Sequence, residues 1–186
     1  MMVRCFAALP IPSATRETLE DALEGFRERG LPVRWVRAEG VHITLKFFGE
    51  TARDRIEAVA EALDFAVDGM GPIGMTLSGF GAFPAPDRPR VLWAGIDAPP
   101  ALELLQDRIE RHTEALGFPG EGELFRPHVT VARVREGERI VRADATQFFE
   151  TQLSSSFTGD RVVLYESTPG PGGSVFKPLH EALLRG

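Results

Sequence analysis

The sequence predicts an α+β fold in which antiparallel sheets carry helices on one face. Three observations support this class. Many short segments alternate apolar and polar residues, several of them follow one another without a helix between, and three longer segments place apolar residues three and four positions apart. Hydrophobic residues make up 43% of the 186 residues, enough for a sizeable core. Because no linker or low-complexity segment divides the chain, we expect a single domain over residues 1–186.

Eight segments are predicted as strands because each is short, apolar or alternating, and bounded by turn residues. In chain order they are Val3–Leu9, Val33–Arg37, Val41–Phe48, Met75–Phe80, Val91–Ile96, His128–Val134, Arg161–Glu166 and Ser174–Leu179. The Pro- and Gly-rich segment Thr168–Gly173 is expected to join the last two strands as a flexible hairpin loop.

Three helices are predicted from apolar stripes at helical spacing. They begin at Ser13, at Thr51 and at Pro99 or Pro100, and they end at Gly30, near Val67 and at Gly117. Serine and threonine are suitable N-cap residues, proline suits a first turn, and glycine commonly follows a helix end.

The charge and cysteine content narrow the classes of function. A net charge of −6 excludes the broad basic surface that grips long nucleic acid, but it is compatible with a small pocket for one phosphate. Cys5 is the single cysteine and lies in an apolar run, so we expect a buried thiol and no intrachain disulfide. That run, interrupted by Arg4 and Pro10, is too short for a signal peptide or a membrane span. We therefore expect a cytoplasmic monomer.

Two predicted strands carry the same motif, a histidine and a threonine separated by one residue. His42 and Thr44 lie on one strand, and His128 and Thr130 lie on the other. On a regular strand each pair would share one face, with apolar neighbours on the opposite face. With 4 His and 11 Thr in the chain, chance gives about 0.24 such matches, so two matches indicate a paired site. The alternative is two half-exposed strands with ordinary polar faces.

The motifs and their surroundings resemble the two-histidine (2H) phosphoesterase superfamily. The closer resemblance is to bacterial RNA 2′,3′-cyclic phosphodiesterases, long called 2′-5′ RNA ligases. The segments that carry it are Arg4–Leu9, Val33–Val36, His42–Gly49, Pro89–Gly95 and Phe125–Arg133. They keep the family's order and span residues 4–133, so the resemblance extends over most of the chain. The C-terminal part is looser, since Phe176 stands where the family often has tyrosine.

The resemblance implies two lobes related by a pseudo-twofold axis, each an antiparallel sheet with helices outside, around a central cleft. It implies that His42 protonates the leaving 3′-oxygen of a cyclic phosphate and that His128 activates water, which yields a 2′-phosphate. An ordinary histidine pKa near 6.5 suits both transfers, and the hydroxyls of Thr44 and Thr130 can donate to phosphate oxygens. The residues alone leave open which histidine has which role. Neither a metal nor a cofactor is expected.

Two basic residues follow the motifs. In the family a residue five positions after the second histidine contacts phosphate, and Arg133 stands there. Strict alternation places Arg133 on the opposite face from His128, so a twist, a bulge or a curled side chain is required. Lys46 shares the predicted face of His42 and is expected either to approach phosphate or to be solvated at a strand end.

Other candidates are expected to be structural. Phe48 could stack on a nucleobase, but core packing is the favoured interpretation. Trp35 and Trp93 are expected in the core because they lie in strands. His112 lies on an apolar helix stripe, which predicts either a buried histidine with its hydrogen bonds satisfied or a helix-packing residue, and His180 is expected at the surface.

Four functions remain open. The leading hypothesis is a phosphoric diester hydrolase that opens 2′,3′-cyclic phosphates at RNA ends. The second is a phosphodiesterase for a small cyclic nucleotide such as ADP-ribose cyclic phosphate. The third is a 2′-5′ RNA ligase, although microscopic reversibility gives any such hydrolase some reverse activity. The fourth is a non-catalytic RNA- or nucleotide-binding module, which would not need both histidines.

Overall fold

A computed structural model describes residues 1–186 and contains nine strands and four α-helices. The strands are β1 (Met2–Pro10), β2 (Val33–Trp35), β3 (His42–Ala52), β4 (Ile73–Phe83), β5 (Val91–Asp97), β6 (His128–Val134), β7 (Ser154–Gly159), β8 (Arg161–Thr168) and β9 (Val175–Leu183). The helices are α1 (Ser13–Arg27), α2 (Ile56–Val67), α3 (Pro100–Glu114) and α4 (Arg142–Glu150). Short 3-10 turns occupy Ala38–Gly40 and Arg53–Arg55.

All nine strands belong to one antiparallel sheet with the order β7-β4-β5-β6-β3-β1-β8-β9, and β2 pairs with β6 beside this path. From the centre outward, lobe one reads β3-β1-β8-β9 and lobe two reads β6-β5-β4-β7. Ile43 and Val129 form the pair that joins the halves. The predicted α+β class and the two pseudo-twofold lobes are therefore confirmed.

Each lobe carries its own helices. The helices α2 and α3 pack on each other, with α2 against β8 and β9 and α3 against β3, while α1 packs on β7 and α4 on β4. The aromatic rings of Phe26 in α1 and Phe148 in α4 meet edge to face with centroids 5.3 Å apart. Burial of each large apolar side chain contributes about 1.5–3 kcal/mol, so this packing fixes both lobes behind the central strands.

Two elements escaped the sequence prediction. The helix α4 is short and polar, and it buries only Ala145 and Phe148. The strand β7 begins with three serines and buries only Phe157 and Gly159. Neither segment shows a regular apolar period, so their packing partners rather than their own patterns define them.

The predicted start of the second helix was also wrong. Thr51 is a buried residue of β3, and the helix α2 begins at Ile56 after a 3-10 turn. The buried, free thiol of Cys5 agrees with prediction, and burial raises its pKa to about 11. None of the helices combines the length and the apolar character needed to cross a membrane.

Candidate active site

A bulge follows the histidine motif on each central strand. On β3, Thr44 and Lys46 pair with adjacent residues of β1, which leaves Leu45 as an extra residue. On β6, Val131 is left out in the same way opposite β5. An extra residue inverts the alternation of side chains beyond it. The two lobes therefore share a local irregularity as well as a motif, at the third position after each histidine.

Each catalytic candidate is held by the same hydrogen bond. The Nδ1 of His42 lies 2.7 Å from the carbonyl oxygen of Gly40, and the Nδ1 of His128 lies 2.7 Å from that of Arg126. A carbonyl oxygen only accepts, so Nδ1 must carry the hydrogen in both rings. This assigns the tautomer and leaves both Nε2 atoms available to exchange protons.

The two motifs meet where the central strands pair. Ile43, between His42 and Thr44, pairs with Val129, between His128 and Thr130, so the two motifs lie side by side. All four motif residues line one cleft of about 1870 Å³. The predicted paired site is therefore one cluster of two imidazoles and two hydroxyls.

Burial makes both imidazolium ions costly. The pKa of His42 falls to about 4, because desolvation dominates and His128 and Arg133 add positive charge nearby. Desolvation also lowers the pKa of His128, again with a contribution from Arg133. The hydrogen bonds to the backbone carbonyls oppose these shifts without cancelling them. Both histidines are consequently neutral in the ligand-free protein at pH 7.

Aromatic rings surround each histidine side chain. The ring of His42 lies 4.8 Å from Phe6 and 5.3 Å from Phe176, measured between centroids. The ring of His128 lies 4.9 Å from Phe83 and 6.4 Å from Trp93. These rings exclude water and account for the low pKa values.

Trp93 is therefore half-buried beside the site, although it was expected in the core. Its ring lies over Gly81 on the neighbouring strand, where a Cβ atom would come within 2.2 Å of the indole. Trp35 is also half-buried, since it packs against the edge of the core and lines the cleft. The sequence did not predict these aromatic contacts with the histidines, because an aromatic residue in a strand more often belongs to a core than to a cleft.

The bulge on β6 resolves the position of Arg133. Beyond Val131 the alternation is inverted, so Arg133 is exposed on the cleft side with His128, while its neighbours Ala132 and Val134 are buried. Its charge contributes to the low pKa of both histidines. The arginine therefore lies where an anion between the histidines would meet it.

The bulge on β3 overturns the expectations for Lys46. Its side chain is 1% exposed, and its Nζ lies 2.5 Å from Oε2 of Glu110 and 3.0 Å from the carbonyl oxygen of Phe118. The ammonium group is therefore neither solvated nor free for a phosphate. Because Leu45 is an extra residue, Lys46 turns from the predicted cleft face toward α3.

The same inversion exchanges the two phenylalanines that follow. Phe48 is 8% exposed and packs edge to face on Phe118, with centroids 5.2 Å apart, so its predicted place in the core is confirmed. Phe47, predicted on the apolar face, is 54% exposed and lines the cleft. It occupies the position in lobe one that Arg133 occupies in lobe two, five residues after the histidine.

The remaining histidines lie outside the cleft. His112 is exposed on α3 and stacks on Phe65 of α2 with centroids 6.1 Å apart, so it is the helix-packing residue of the two alternatives and not a buried one. The Nε2 of His180 lies 2.8 Å from Oδ1 of Asp64. No group of three or more His, Cys, Asp or Glu side chains is arranged to hold a metal ion.

Comparison with known proteins finds a matching family and named relatives. The family described as LigT like Phosphoesterase matches residues 9–93 and 96–176. An RNA 2′,3′-cyclic phosphodiesterase of Thermotoga maritima is 30% identical over 188 residues, covering 99% of this chain and 97% of its own. A protein of the same name from Aeropyrum pernix is 39% identical over 112 residues, covering 60% and 62%.

Solved structures share the fold over nearly the full length. The protein TT0787 of Thermus thermophilus superposes with a TM-score of 0.83 at 25% identity and covers 98% of each chain. Escherichia coli LigT in its apo form superposes with a TM-score of 0.76 at 22% identity, covering 100% of this chain and 99% of its own. The likeness to LigT supports the bilobed architecture around the cleft.

Proposed function

Because the chain belongs to the LigT-like phosphoesterase family, we propose that it hydrolyses 2′,3′-cyclic phosphates at RNA 3′ ends to 2′-phosphomonoesters. The observation that carries the proposal is the pair of imidazoles in one cleft, His42 and His128, each anchored through Nδ1 with Nε2 available. The names of the relatives support the substrate class. A binding module without activity would not need two equivalent proton carriers.

Ring opening requires one group on each side of phosphorus. Water attacks opposite the leaving oxygen, so one group takes a proton from water while the other gives a proton to the departing alkoxide. Following the family resemblance, His128 is the base and His42 is the acid that protonates the 3′-oxygen. Their placement on two pseudo-symmetric strands supports an in-line displacement between them.

The burial of His42 fits the acid role. An imidazolium with a low pKa gives up its proton readily, but it is populated only when an anion stabilises it. The cyclic phosphate is such an anion, so we expect its binding to raise the pKa of both histidines. Substrate binding would thereby complete the mixed protonation state that chemistry needs.

The neighbouring donors would hold the phosphate. The hydroxyls of Thr44 and Thr130 flank the imidazoles and can donate to non-bridging oxygens, where charge accumulates. The guanidinium of Arg133 can donate two parallel hydrogen bonds to the same group. Lys46 has an indirect role in this scheme, since its ion pair with Glu110 fixes β3 against α3.

We infer further that the whole chain acts as one bilobed domain, because both motifs face a single cleft in a single sheet. A cytoplasmic location remains our interpretation, supported by the one buried free cysteine, Cys5, and a monomer remains our expectation. Weak 2′-5′ ligation is expected as the reverse of hydrolysis. A small cyclic nucleotide is the alternative substrate.

Product analysis tests the proposal. The protein is incubated in a chelating buffer with a 2′,3′-cyclic-phosphate-ended oligonucleotide and, separately, with a cyclic mononucleotide and ADP-ribose cyclic phosphate. We expect a 2′-phosphate on the oligonucleotide, identified by phosphorus NMR. A 3′-phosphate would reverse the orientation of the substrate. Turnover of the small nucleotides alone would favour the alternative, and dependence on one particular metal would contradict the metal-free chemistry.

A further inference from the structure

Two arginines lie side by side on the cleft face of lobe two. Arg34 of β2 pairs directly with Arg133 of β6 in the antiparallel ladder, so both side chains project from the same face. Both residues are exposed, and both line the cleft. Neither guanidinium has an acceptor within the protein, whereas Arg90 donates to the carbonyl oxygen of Glu138.

This pairing is unfavourable without a ligand. Like charges directly opposite each other on neighbouring strands destabilise a sheet. The chain carries 27 acidic residues and a net charge of −6, yet neither Arg34 nor Arg133 forms an ion pair with any of them. An anion from outside the protein would remove the repulsion.

Comparison of the two pseudo-symmetric lobes shows that the arginine pair is found in lobe two alone. In lobe two, a row across the sheet runs Phe83, Val91, Arg133 and then Arg34. In lobe one, the equivalent row runs from β8 through β1 and ends at β3 with the exposed ring of Phe47. The strand β2, which supplies Arg34, has no counterpart there.

Arg34 lies one strand farther from the proposed reaction centre than Arg133 does. Neighbouring strands lie about 4.8 Å apart, so Arg34 is one strand farther from His128 than Arg133 is. Arg133 influences the pKa of both histidines and is close to the proposed reaction centre. A phosphate bound by Arg34 is therefore a different group from the reacting phosphate beside Arg133.

We propose that Arg34, one strand beyond Arg133, binds the phosphodiester on the 5′-oxygen of the terminal nucleoside, which makes the cleft selective for RNA ends over cyclic mononucleotides. This inference rests on the proposed function. In an RNA that ends in a cyclic phosphate, the 5′-linked phosphodiester is the only other phosphate on the terminal nucleoside. Guanidinium groups suit it because they donate paired hydrogen bonds to phosphate oxygens.

The test compares two substrates in three proteins. Substrates are a cyclic-phosphate-ended dinucleotide and the corresponding cyclic mononucleotide with a free 5′-hydroxyl. Proteins are the wild type, Arg34→Gln and Arg185→Gln, where Arg185 is exposed outside the cleft and matches the change in charge. We expect Arg34→Gln to lower kcat/KM about 10- to 100-fold for the dinucleotide and less than about 2-fold for the mononucleotide. Arg185→Gln should leave both values nearly unchanged.

Two further readouts separate recognition from structure. Arg34→Gln should reduce the slope of log kcat/KM against log salt by about 0.7 for the dinucleotide, the value for one lost phosphate contact on a single strand. Arg34→Lys should restore part of the activity, since it keeps the charge. Because Arg34 contacts no acceptor within the protein, its substitution should not lower the thermal midpoint.

The outcomes distinguish this inference from the proposed function. Equal losses on both substrates, or no loss on either, would overturn the second phosphate subsite. If the wild type hydrolyses neither substrate, the proposed function fails. Equilibrium binding of nucleoside 2′-phosphates then tests the subsite. The wild type should bind the form that carries a 5′-phosphodiester more tightly than the form without it, and Arg34→Gln should not. Equal affinity for both forms in the wild type would refute it.

Discussion

Ile43 and Val129 form the single residue pair that joins β3 to β6, and both side chains are fully buried behind the cleft. The motif histidines project from the opposite face, next to this pair. The distance between the two imidazoles therefore depends on how two aliphatic side chains pack. A buried apolar contact thus sets the geometry of the proposed proton transfers.

Truncating a side chain of this pair should lower kcat more than an equal loss of packing elsewhere. We expect Ile43→Ala to lower the free energy of unfolding by about 2–5 kcal/mol and to reduce kcat as well. Leu63→Ala in α2, at an equally buried position, should cost similar stability with kcat unchanged. Denaturant unfolding and turnover below both midpoints measure the two effects. Equal kcat values in the two variants would show that the pair does not position the histidines.

Removing either hydroxyl should weaken transition-state binding. Thr44→Val and Thr130→Val keep the shape of the side chain and remove one donor each, so kcat/KM should fall about 10- to 100-fold. Thr44→Ser should retain most of the activity. Thr158→Val, at an exposed position of β7, is the matched control. Unchanged kcat/KM in both motif variants would remove the threonines from the site.

The lowered histidine pKa values predict that kcat/KM reaches its maximum at acidic pH. The pKa of His42 is about 4 and that of His128 lies below its usual 6.5, so the singly protonated free enzyme is most abundant below pH 6.5. We expect a bell-shaped kcat/KM with its maximum there, and a kcat profile displaced to higher pH by the bound anion. Because the histidines interact, the two apparent values belong to the pair.

A charge variant checks the cause of that profile. Arg133 contributes to lowering both pKa values, so Arg133→Gln should move the kcat/KM profile toward alkaline pH while reducing its height. Single-turnover rates identify the chemical step. A profile that is flat from mildly acidic to alkaline pH, with chemistry rate-limiting, would count against histidine acid–base catalysis.

The buried ion pair of Lys46 should matter for stability rather than for substrate affinity. Glu110→Gln leaves the ammonium of Lys46 without its counter-charge, and we expect a loss of about 3 kcal/mol. Asp107→Asn removes the exposed ion pair of the same helix, with Arg111, and should cost less than about 1 kcal/mol. Lys46→Met should leave the KM of a stable preparation within about 2-fold. A large rise in KM would restore a direct contact with phosphate.

The sequence predicted the site in outline because two short motifs repeat in two similar strands. His42 and His128, with their threonines, share one cleft, as the repeated pattern indicated. The pattern could not predict what lies beyond Thr44, since alternation assumes a regular strand and the bulge at Leu45 breaks it. A bulge depends on pairing with a neighbouring strand, which a single sequence does not reveal.

The other corrections also depend on contacts between segments that are distant in the chain. Lys46 turned inward and Phe47 turned outward for one reason, the extra residue on β3. The helix α4 and the strand β7 lack a regular apolar period, so periodicity could not predict either element. The two-arginine edge needed the pairing of Arg34 with Arg133, two residues far apart in the chain.

Turnover of a cyclic-phosphate-ended dinucleotide by His42→Ala and His128→Ala tests the central claim most directly. Each general acid or base contributes about 10²- to 10⁴-fold, so we expect either variant to lose that much kcat in a chelating buffer. Both side chains line a cleft rather than the core, so circular dichroism should show an unchanged fold. The double variant should be little worse than the single ones, because the two groups act together. Near-wild-type turnover by either single variant would contradict the two-histidine mechanism.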